Sequence, residues 1–184
     1  KACARAYGAE VVDRGVTAEN REEVARALQE ETGYALIHPF DDPLVIAGQG
    51  TAGLELLAQA GRMGVFPEAV LAPVGGGGLL AGLATAVKAL SPTTLLLGVE
   101  PEVADDARRS LEAGRLFRLE APPRTRADGV RTLSLGEHTF PILKEKADGI
   151  LVVSEEAILE AERLLFTRTK QVVEPAGATP LAAI

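Results

Sequence analysis

The sequence predicts an α/β protein with a doubly wound, mainly parallel β-sheet. Strand-length apolar segments alternate with segments of helical periodicity through most of the 184 residues. Residues 94–99 are almost entirely apolar, as is typical of a parallel strand covered on both faces. Between residues 69 and 90 an apolar run enters four consecutive glycines, and a helical pattern follows them. We therefore expect helices on both faces of one sheet.

The first 43 residues contain weaker signals. Gly8 and Gly33 each suit the position that follows a helix C-terminus. Thr17 or Asn20 is expected to cap the second helix. Two prolines and two acidic residues at 38–43 indicate a boundary or crossover. The predicted elements are a helix over 1–7, a strand over 9–13, a helix ending at residue 32 and a strand over 34–37.

Later elements follow from apolar periodicity and from residues that start or stop helices. Thr51 is expected to cap the main part of one helix, Gly114 to stop another, and Ser154 to begin a third. The predicted elements are a helix over 44–60 interrupted at 48–51, strands over 69–74, 94–99 and 149–153, helices over 78–90, 105–113, 138–146 and 155–169, a loop over 115–135 and a final helix after residue 175.

Composition excludes several classes of function. A net charge of −7 argues against a nucleic-acid or anionic membrane partner, and 4% aromatic content without Trp argues against base stacking. The single Cys3 excludes a disulfide framework and predicts a reducing compartment. His38 and His138 lie far apart and are expected to be packed or surface residues. No apolar stretch is long enough to span a bilayer and no signal peptide is visible, so we predict a cytoplasmic location.

The four glycines at 75–78 predict a phosphate site. Residues without Cβ let the backbone approach a ligand and turn N–H groups toward it. The following helix directs the positive end of its dipole to the same place. The alternative is that these glycines serve tight packing alone.

Two kinds of ligand fit this loop. Gly76, Gly78 and Ala81 match a loose dinucleotide-binding fingerprint, and Glu100, about twenty residues later, would bind a ribose hydroxyl of NAD. Such fingerprints usually lie in the first strand of their domain, whereas about seventy residues precede this one. The four glycines would also form a compact cup for a single phosphate group.

An acidic turn follows the strand over 94–99. Glu100, Asp105 and Asp106, with the Ala104 carbonyl, offer oxygen ligands of the kind that hard divalent cations prefer. Asp105 and Asp106 would alternatively cap the helix that they precede, and spacing alone favours capping.

Six segments, in this order, resemble threonine/serine dehydratase and serine racemase, which are fold type II pyridoxal-phosphate enzymes with a tryptophan synthase β-like fold. The segments are 38–39, 47–51 with Glu55, 73–79, 99–101 with 104–106, 127–130 and 173–175. The resemblance implies that residues 1–41 are the tail of a small domain and that 42–184 are most of a large cofactor-binding domain. It also implies that the pyridoxal 5'-phosphate group is held by Gly75, Gly76, Gly77, Gly78 and Leu79.

The resemblance favours a cation over simple capping at the acidic turn. It implies that Mg²⁺, Mn²⁺ or Ca²⁺ is bound by Glu100, the Ala104 carbonyl and Asp106, as an activator or stabiliser. The implied function is β-elimination of threonine or serine to a 2-keto acid and ammonia, with serine racemisation as a further activity of the family. A homo-oligomer is implied for the full-length form. A non-catalytic phosphate-binding domain, an NAD-binding domain, and a cysteine or threonine synthase remain alternatives.

The family's Schiff-base lysine, in a Ser-x-Lys segment, has no counterpart in this sequence, so no catalytic residue is assigned here. The lysines at 88, 144, 146 and 170 are expected at helix surfaces, and Lys1 opens the sequence. We expect the sequence to be an excerpt of a longer domain, and the 184-residue chain alone to have no turnover. Phe40 lies at a position where some relatives carry an Asn near the cofactor, and Ala176 replaces a frequent Ser or Thr. These two departures leave the substrate preference open.

Overall fold

A computed structural model describes residues 1–17 and 20–184. The chain divides into two compact units, Lys1–Ile37 and His38–Ile184.

The unit Lys1–Ile37 contains two helices, α1 (Ala2–Ala6) and α2 (Arg21–Thr32). Gly8 and Gly33, which follow these helices, adopt positive φ angles of 86° and 72° as the sequence predicts. The two predicted strands at 9–13 and 34–37 are wrong, because neither segment pairs with another strand in the described part of the chain. Asn20 precedes α2, but its side chain bonds to Thr17 N and Gly15 O rather than capping the helix.

The unit His38–Ile184 alternates helices and strands, as predicted. Its strands are β1 (Ala69–Pro73), β2 (Leu95–Pro101) and β3 (Gly149–Val153). Its helices are α3 (Pro43–Arg62), α4 (Gly78–Leu90), α5 (Asp106–Ala113), α6 (Thr139–Lys146), α7 (Glu155–Leu164), which continues as a π-helix over Leu165–Thr169, and α8 (Pro175–Ala182).

The three strands form one parallel sheet in the order β1-β2-β3, which confirms the predicted fold class. Side chains alternate between the faces of a strand. Val70 and Leu96 therefore pack in one apolar cluster with α4 and α6, whereas Leu71 and Val99 pack in a second cluster with α7 and α8. Helices thus cover both faces, and the carboxyl ends of the strands remain open to the loops that carry the predicted sites.

Helix α3 runs without the interruption predicted at 48–51. Asp42 caps it by accepting hydrogen bonds from the N–H groups of Leu44 and Val45. Gly50 and Gly53 serve close packing on α4, because a Cβ at Gly50 would lie 3.1 Å from the Gly82 carbonyl oxygen and one at Gly53 would lie 3.2 Å from a Val87 methyl group, whereas a Cβ at Gly48 would meet no atom of the described residues within 4 Å. Thr51 donates to the Gly48 carbonyl within the helix instead of capping a new one. Tertiary packing here overrides the local glycine signal.

No helix in the described ranges is both long and apolar enough to cross a membrane.

Candidate ligand sites at the carboxyl ends of β1 and β2

The predicted phosphate loop lies between β1 and α4. Strand β1 ends at Pro73 and α4 begins at Gly78. Ligands of open parallel α/β sheets bind outside the carboxyl ends of the strands, which is where this loop lies.

The loop presents a run of free backbone donors. In the described part of the chain, no residue accepts a hydrogen bond from the N–H groups of residues 75–80, whereas Val74 N donates to Val99 O and Ala81 N to Gly77 O. Gly76, Gly77 and Gly78 are buried. Buried N–H groups are almost always paired, so these donors fit an anionic partner. The residues present therefore fit the phosphate group of a cofactor.

The glycines are also required by packing. A Cβ on Gly76 would overlap the Phe40 ring, and one on Gly78 would lie 2.9 Å from the Phe40 carbonyl oxygen. A Cβ on Gly75 would lie 2.9 Å from the Cα of Val130, and Gly77 has a φ of 92°. The packing explanation and the ligand explanation of these glycines are therefore compatible. The role of Phe40 as a neighbour of the loop was not apparent from the residue pattern.

The loop is anchored to the N-terminus of α6. The Gly76 carbonyl accepts hydrogen bonds from the Thr139 hydroxyl at 2.7 Å and from Gly136 N at 3.1 Å. Asp41 in turn accepts bonds from the N–H groups of Glu137, His138 and Thr139 at 2.8–3.2 Å. Only the long-range fold brings Asp41 to α6, so no local sequence signal indicated this contact.

Glu100 performs a task that the sequence did not indicate. It is only 1% exposed, and its two carboxylate oxygens accept hydrogen bonds from the N–H groups of Ala107 and Arg108 in α5. The alternative ribose contact of Glu100 in a dinucleotide site is wrong, because a carboxylate that is only 1% exposed is out of reach of a sugar hydroxyl. Each oxygen still has a lone pair beyond the bond that it accepts from α5. Capping by Asp105 and Asp106 is also wrong, since neither side chain caps α5. Asp105 pairs instead with Arg108 at 2.6 Å.

In the turn that follows Glu100, Asp106 and Ala104 each have an oxygen to which no described residue donates a hydrogen bond. Asp106 is 2% exposed, and its Oδ2 is buried without a hydrogen-bond partner. No described residue donates to the carbonyl oxygen of Ala104, which is also buried. Burial, assisted by repulsion from neighbouring acids, raises the pKa of Glu100 to about 8 and that of Asp106 to about 7.

These oxygens fit a hard cation, which would stabilise the ionised carboxylates and supply Asp106 Oδ2 with a partner. The set contains only two acidic side chains. No cluster of three or more His, Cys, Asp and Glu side chains suited to a metal occurs within 1–17 and 20–184.

The lysines of the larger unit do not contact the phosphate loop. The expected surface position of Lys88 is wrong, because Lys88 is partly buried, pairs with Asp148 at 2.7 Å and donates to Thr94 O. Lys144 donates to Gly114 O, and Lys170 donates to Thr167 O. Lys146 pairs with Glu145.

Comparisons with known proteins agree with this geometry. The family model for pyridoxal-phosphate-dependent enzymes matches residues 1–184. An L-threo-3-hydroxyaspartate ammonia-lyase of a Pseudomonas species is 45% identical over 183 residues, covering 100% of this chain and 56% of the relative. A serine racemase of Dictyostelium discoideum is 45% identical over 179 residues, covering 97% of this chain and 54% of the relative.

Solved structures show the same relationship. The crystal structure of a threonine deaminase from T.th. is 92% identical with a TM-score of 0.97, and the match covers 99% of this chain and 59% of that one. The chain therefore spans little more than half the length of the relatives it matches. The family model matches the chain from end to end, and the loop at residues 75–80 has N–H groups without an acceptor in the described part of the protein, as a phosphate site requires. This chain belongs to the family of pyridoxal-phosphate-dependent enzymes.

Proposed function

We propose that this chain is part of a pyridoxal-phosphate-dependent ammonia-lyase that converts threonine and serine into 2-keto acids and ammonia, with serine racemisation as a side activity. The water lost when the β-hydroxyl leaves is taken up again when ammonia is released by hydrolysis, so ammonia alone is lost overall. The observation that carries the proposal is the run of six unpartnered N–H groups at residues 75–80, in a chain matched throughout by the family model. Threonine is the preferred substrate because the 92% identical solved relative is a threonine deaminase.

The proposed task of the loop is to hold the cofactor by its phosphate. The N–H groups of Gly75, Gly76, Gly77, Gly78 and Leu79 would donate to the phosphate oxygens, assisted by the positive end of the α4 dipole. When bound, pyridoxal phosphate supplies an electron sink for the pair released at the substrate Cα. The contribution of this chain is to fix the cofactor's position, because donors held by a rigid strand-to-helix turn define one phosphate orientation.

We propose the second site, formed by Glu100, the Ala104 carbonyl and Asp106, as a Mg²⁺, Mn²⁺ or Ca²⁺ site. The buried, unpartnered Asp106 Oδ2 supports this proposal. Glu100 also caps α5, so a bound cation would fix the turn between β2 and α5. Its proposed effect is therefore on stability and on site geometry rather than on bond breaking.

A second candidate substrate is L-threo-3-hydroxyaspartate, which the 45% identical Pseudomonas relative is named for. This compound carries the same β-hydroxyl leaving group as threonine and serine, with an additional carboxylate. We further propose that the full-length protein is a homo-oligomer, on the strength of the family resemblance, and that it is cytoplasmic, on the strength of the sequence features given above. Mass photometry of the purified protein tests the oligomeric state.

The test uses the full-length gene product. We expect it to bind pyridoxal 5'-phosphate far more tightly than pyridoxal, which lacks the phosphate, and to release keto acid from threonine faster than from serine or 3-hydroxyaspartate. Equal affinity for the two cofactor forms would contradict the assigned loop. Faster release from 3-hydroxyaspartate would replace threonine by that substrate, and an absence of keto acid from all three would refute the lyase.

A further inference from the structure

We propose that Thr139 is a positioning residue that aims the Gly77 N–H group at the cofactor phosphate, and that Asp41 holds Thr139 in place. The proposal rests on the proposed function of the loop and adds two residues outside it. Neither residue belongs to the glycine run or to the strands that flank it.

The orientation of the peptide group between Gly76 and Gly77 determines where the Gly77 N–H group points. The carbonyl oxygen of this peptide accepts two hydrogen bonds from the α6 side, one from the Thr139 hydroxyl and one from Gly136 N. The structure contains no cis peptide among the described residues, so this peptide is trans and planar. Its N–H group consequently points away from α6. Fixing the carbonyl therefore fixes the direction of the Gly77 donor.

Thr139 is itself held in one arrangement. It is completely buried, and its hydroxyl oxygen accepts a hydrogen bond from Gly136 N at 2.9 Å. Its single hydroxyl proton has its shortest contact with the Gly76 carbonyl, at 2.7 Å, against 3.3 Å to the Gly136 carbonyl. A Cβ at Gly77 would lie 2.9 Å from the same hydroxyl oxygen. The hydroxyl thus acts on the peptide of the loop rather than directly on a ligand.

Asp41 fixes the helix end that carries Thr139. Its carboxylate accepts bonds from three successive N–H groups at 137–139, and His138 Nδ1 lies 3.4 Å from one of its oxygens. The neighbouring Phe40 packs against Gly76 and Gly78 on the other side. A Cβ on Gly136 would overlap the Asp41 carboxylate, so only glycine fits there. The segment Phe40–Asp41 therefore braces the loop and α6 together.

Asp41 carries a negative charge and is linked through α6 to the loop that is proposed to bind a phosphate, so its charge must be compensated within the protein. The α6 N-terminus supplies the positive end of a helix dipole and three donors to Asp41. The N-terminus of α6 thereby compensates the charge of Asp41, and the N–H groups of residues 75–80 remain available to the cofactor.

The experiment measures the affinities of the full-length protein for pyridoxal 5'-phosphate and for pyridoxal. Thr139→Val removes the hydroxyl at nearly constant volume, Thr139→Ser restores it, and Thr179→Val is the matched control. Thr179 is equally buried, and its hydroxyl donates to a carbonyl of its own helix, Ala176 O. We expect Thr139→Val to weaken binding of the phosphorylated form by roughly tenfold and to leave pyridoxal binding unchanged. The ³¹P resonance of the bound cofactor should shift in the same variant.

Thr139→Ser and Thr179→Val are expected to keep the wild-type ratio of the two affinities and the wild-type ³¹P resonance. A Thr139→Val protein that behaves like Thr179→Val would overturn the inference while leaving the phosphate loop intact. A wild-type protein that does not distinguish the two cofactor forms would instead refute the proposed function. If Thr139→Val does not fold, Asp41→Asn provides the second test, with the same selective loss expected and an unchanged ratio counting against the proposal.

Discussion

Helices α4 and α5 begin at the carboxyl ends of adjacent parallel strands, but their N-termini are satisfied in opposite ways. The first N–H groups of α4 have no acceptor in the described part of the chain, and glycines precede them. The N–H groups of Ala107 and Arg108 in α5 are bound by the Glu100 carboxylate, which reaches them from β2. We therefore propose that two turns in equivalent positions of the sheet bind ligands of opposite charge.

The difference shows how one architecture produces two kinds of site. A turn without side chains leaves the positive end of its helix available to an external anion. A turn that carries its own carboxylates satisfies the helix N-terminus internally and buries negative charge, which the proposed cation would stabilise. In both turns the bound ligand would remove the cost of burying unpartnered polar groups. Each of the following predictions changes one side of this comparison.

The largest effect is expected from Gly76→Ala, which places a methyl group into the Phe40 ring. Overpacking of this kind costs about 3 kcal/mol of unfolding free energy, and the displaced loop should also lose affinity for the phosphorylated cofactor. Chemical denaturation and cofactor titration measure the two effects. Gly61→Ala is the matched control, because its Cβ meets nothing within 4 Å in α3.

The control should be slightly more stable than the wild type, by about 0.5 kcal/mol, as alanine replaces glycine inside a helix. The double variant Phe40→Ala/Gly76→Ala removes the overlapping ring, and it should recover part of the lost stability. A double variant no more stable than Gly76→Ala would show that Phe40 is not the reason for glycine at this position.

The acidic turn is tested by Asp106→Asn. We expect Mg²⁺, Mn²⁺ or Ca²⁺ at about a hundred times its dissociation constant to stabilise the wild-type protein by about 2.7 kcal/mol, and the variant to lose this response. Thermal unfolding with and without the cation provides the measurement. Asp105→Asn is the control, since Asp105 pairs with Arg108 and Arg109 and is not proposed as a ligand.

Equal responses to the cation in the two variants would show that the ion binds elsewhere on the acidic surface. A wild-type protein that none of the three cations stabilises would leave Glu100 with capping as its sole task. The dinucleotide alternative would not be revived by that result, because the Glu100 carboxylate is buried and out of reach of a ribose hydroxyl.

The comparison also shows what a sequence can predict. The strand–loop–helix over 69–90 follows from local apolar pattern and glycine content, and the structure has it at Ala69–Pro73 and Gly78–Leu90. Spacing alone favours Asp105 and Asp106 as caps of α5, because caps are usually adjacent in sequence to the helix. The residue that performs it, Glu100, acts from a strand. That contact depends on the register of the fold and leaves no local pattern.

Long-range packing likewise explains the other differences. Gly48 and Gly50 resemble a helix break, but α3 continues through both, and at Gly50 the close contact with α4 favours a residue without a side chain. Asp41 lies 96–98 residues from the helix end that it caps, so sequence spacing gives no indication of it. The resemblance places position 40 near the cofactor, but the packing of the Phe40 ring against Gly76 and Gly78 is visible only in three dimensions.

A third helix N-terminus, that of α6, is capped by Asp41 and predicts an acid sensitivity. Burial is the largest influence on this carboxyl and acts to raise its pKa, but the bonds from 137–139 and from His138 together hold the pKa below its usual range. The folded protein therefore binds this proton less readily than the unfolded chain. The stabilisation is complete above the unfolded-state pKa and is lost as the pH falls through the folded-state pKa.

Asp41→Asn should therefore cost about 2 kcal/mol at neutral pH, because the amide cannot accept all three N–H bonds. The variant should also lose less stability than the wild type on acidification from about pH 6 to about pH 3. Urea unfolding across this range measures the slope. An unchanged acid slope would mean that other carboxyl groups dominate the loss and that the α6 contact contributes little.

The smallest effect is expected at α7, which follows β3 and is capped by its own N-terminal residue. Ser154 Oγ accepts a hydrogen bond from Ala157 N at 3.2 Å, so this turn needs no ligand of either charge. Ser154→Ala should cost about 1 kcal/mol, and Ser154→Asp should keep the cap. The loss should be the same with and without cofactor or cation, whereas the losses at the α4 and α5 turns should change with their ligands. A change in the free energy lost by Ser154→Ala when either ligand is added would show that the three turns are coupled through the sheet. The contrast between ligand-dependent and self-capped helices would then not be a property of each turn alone.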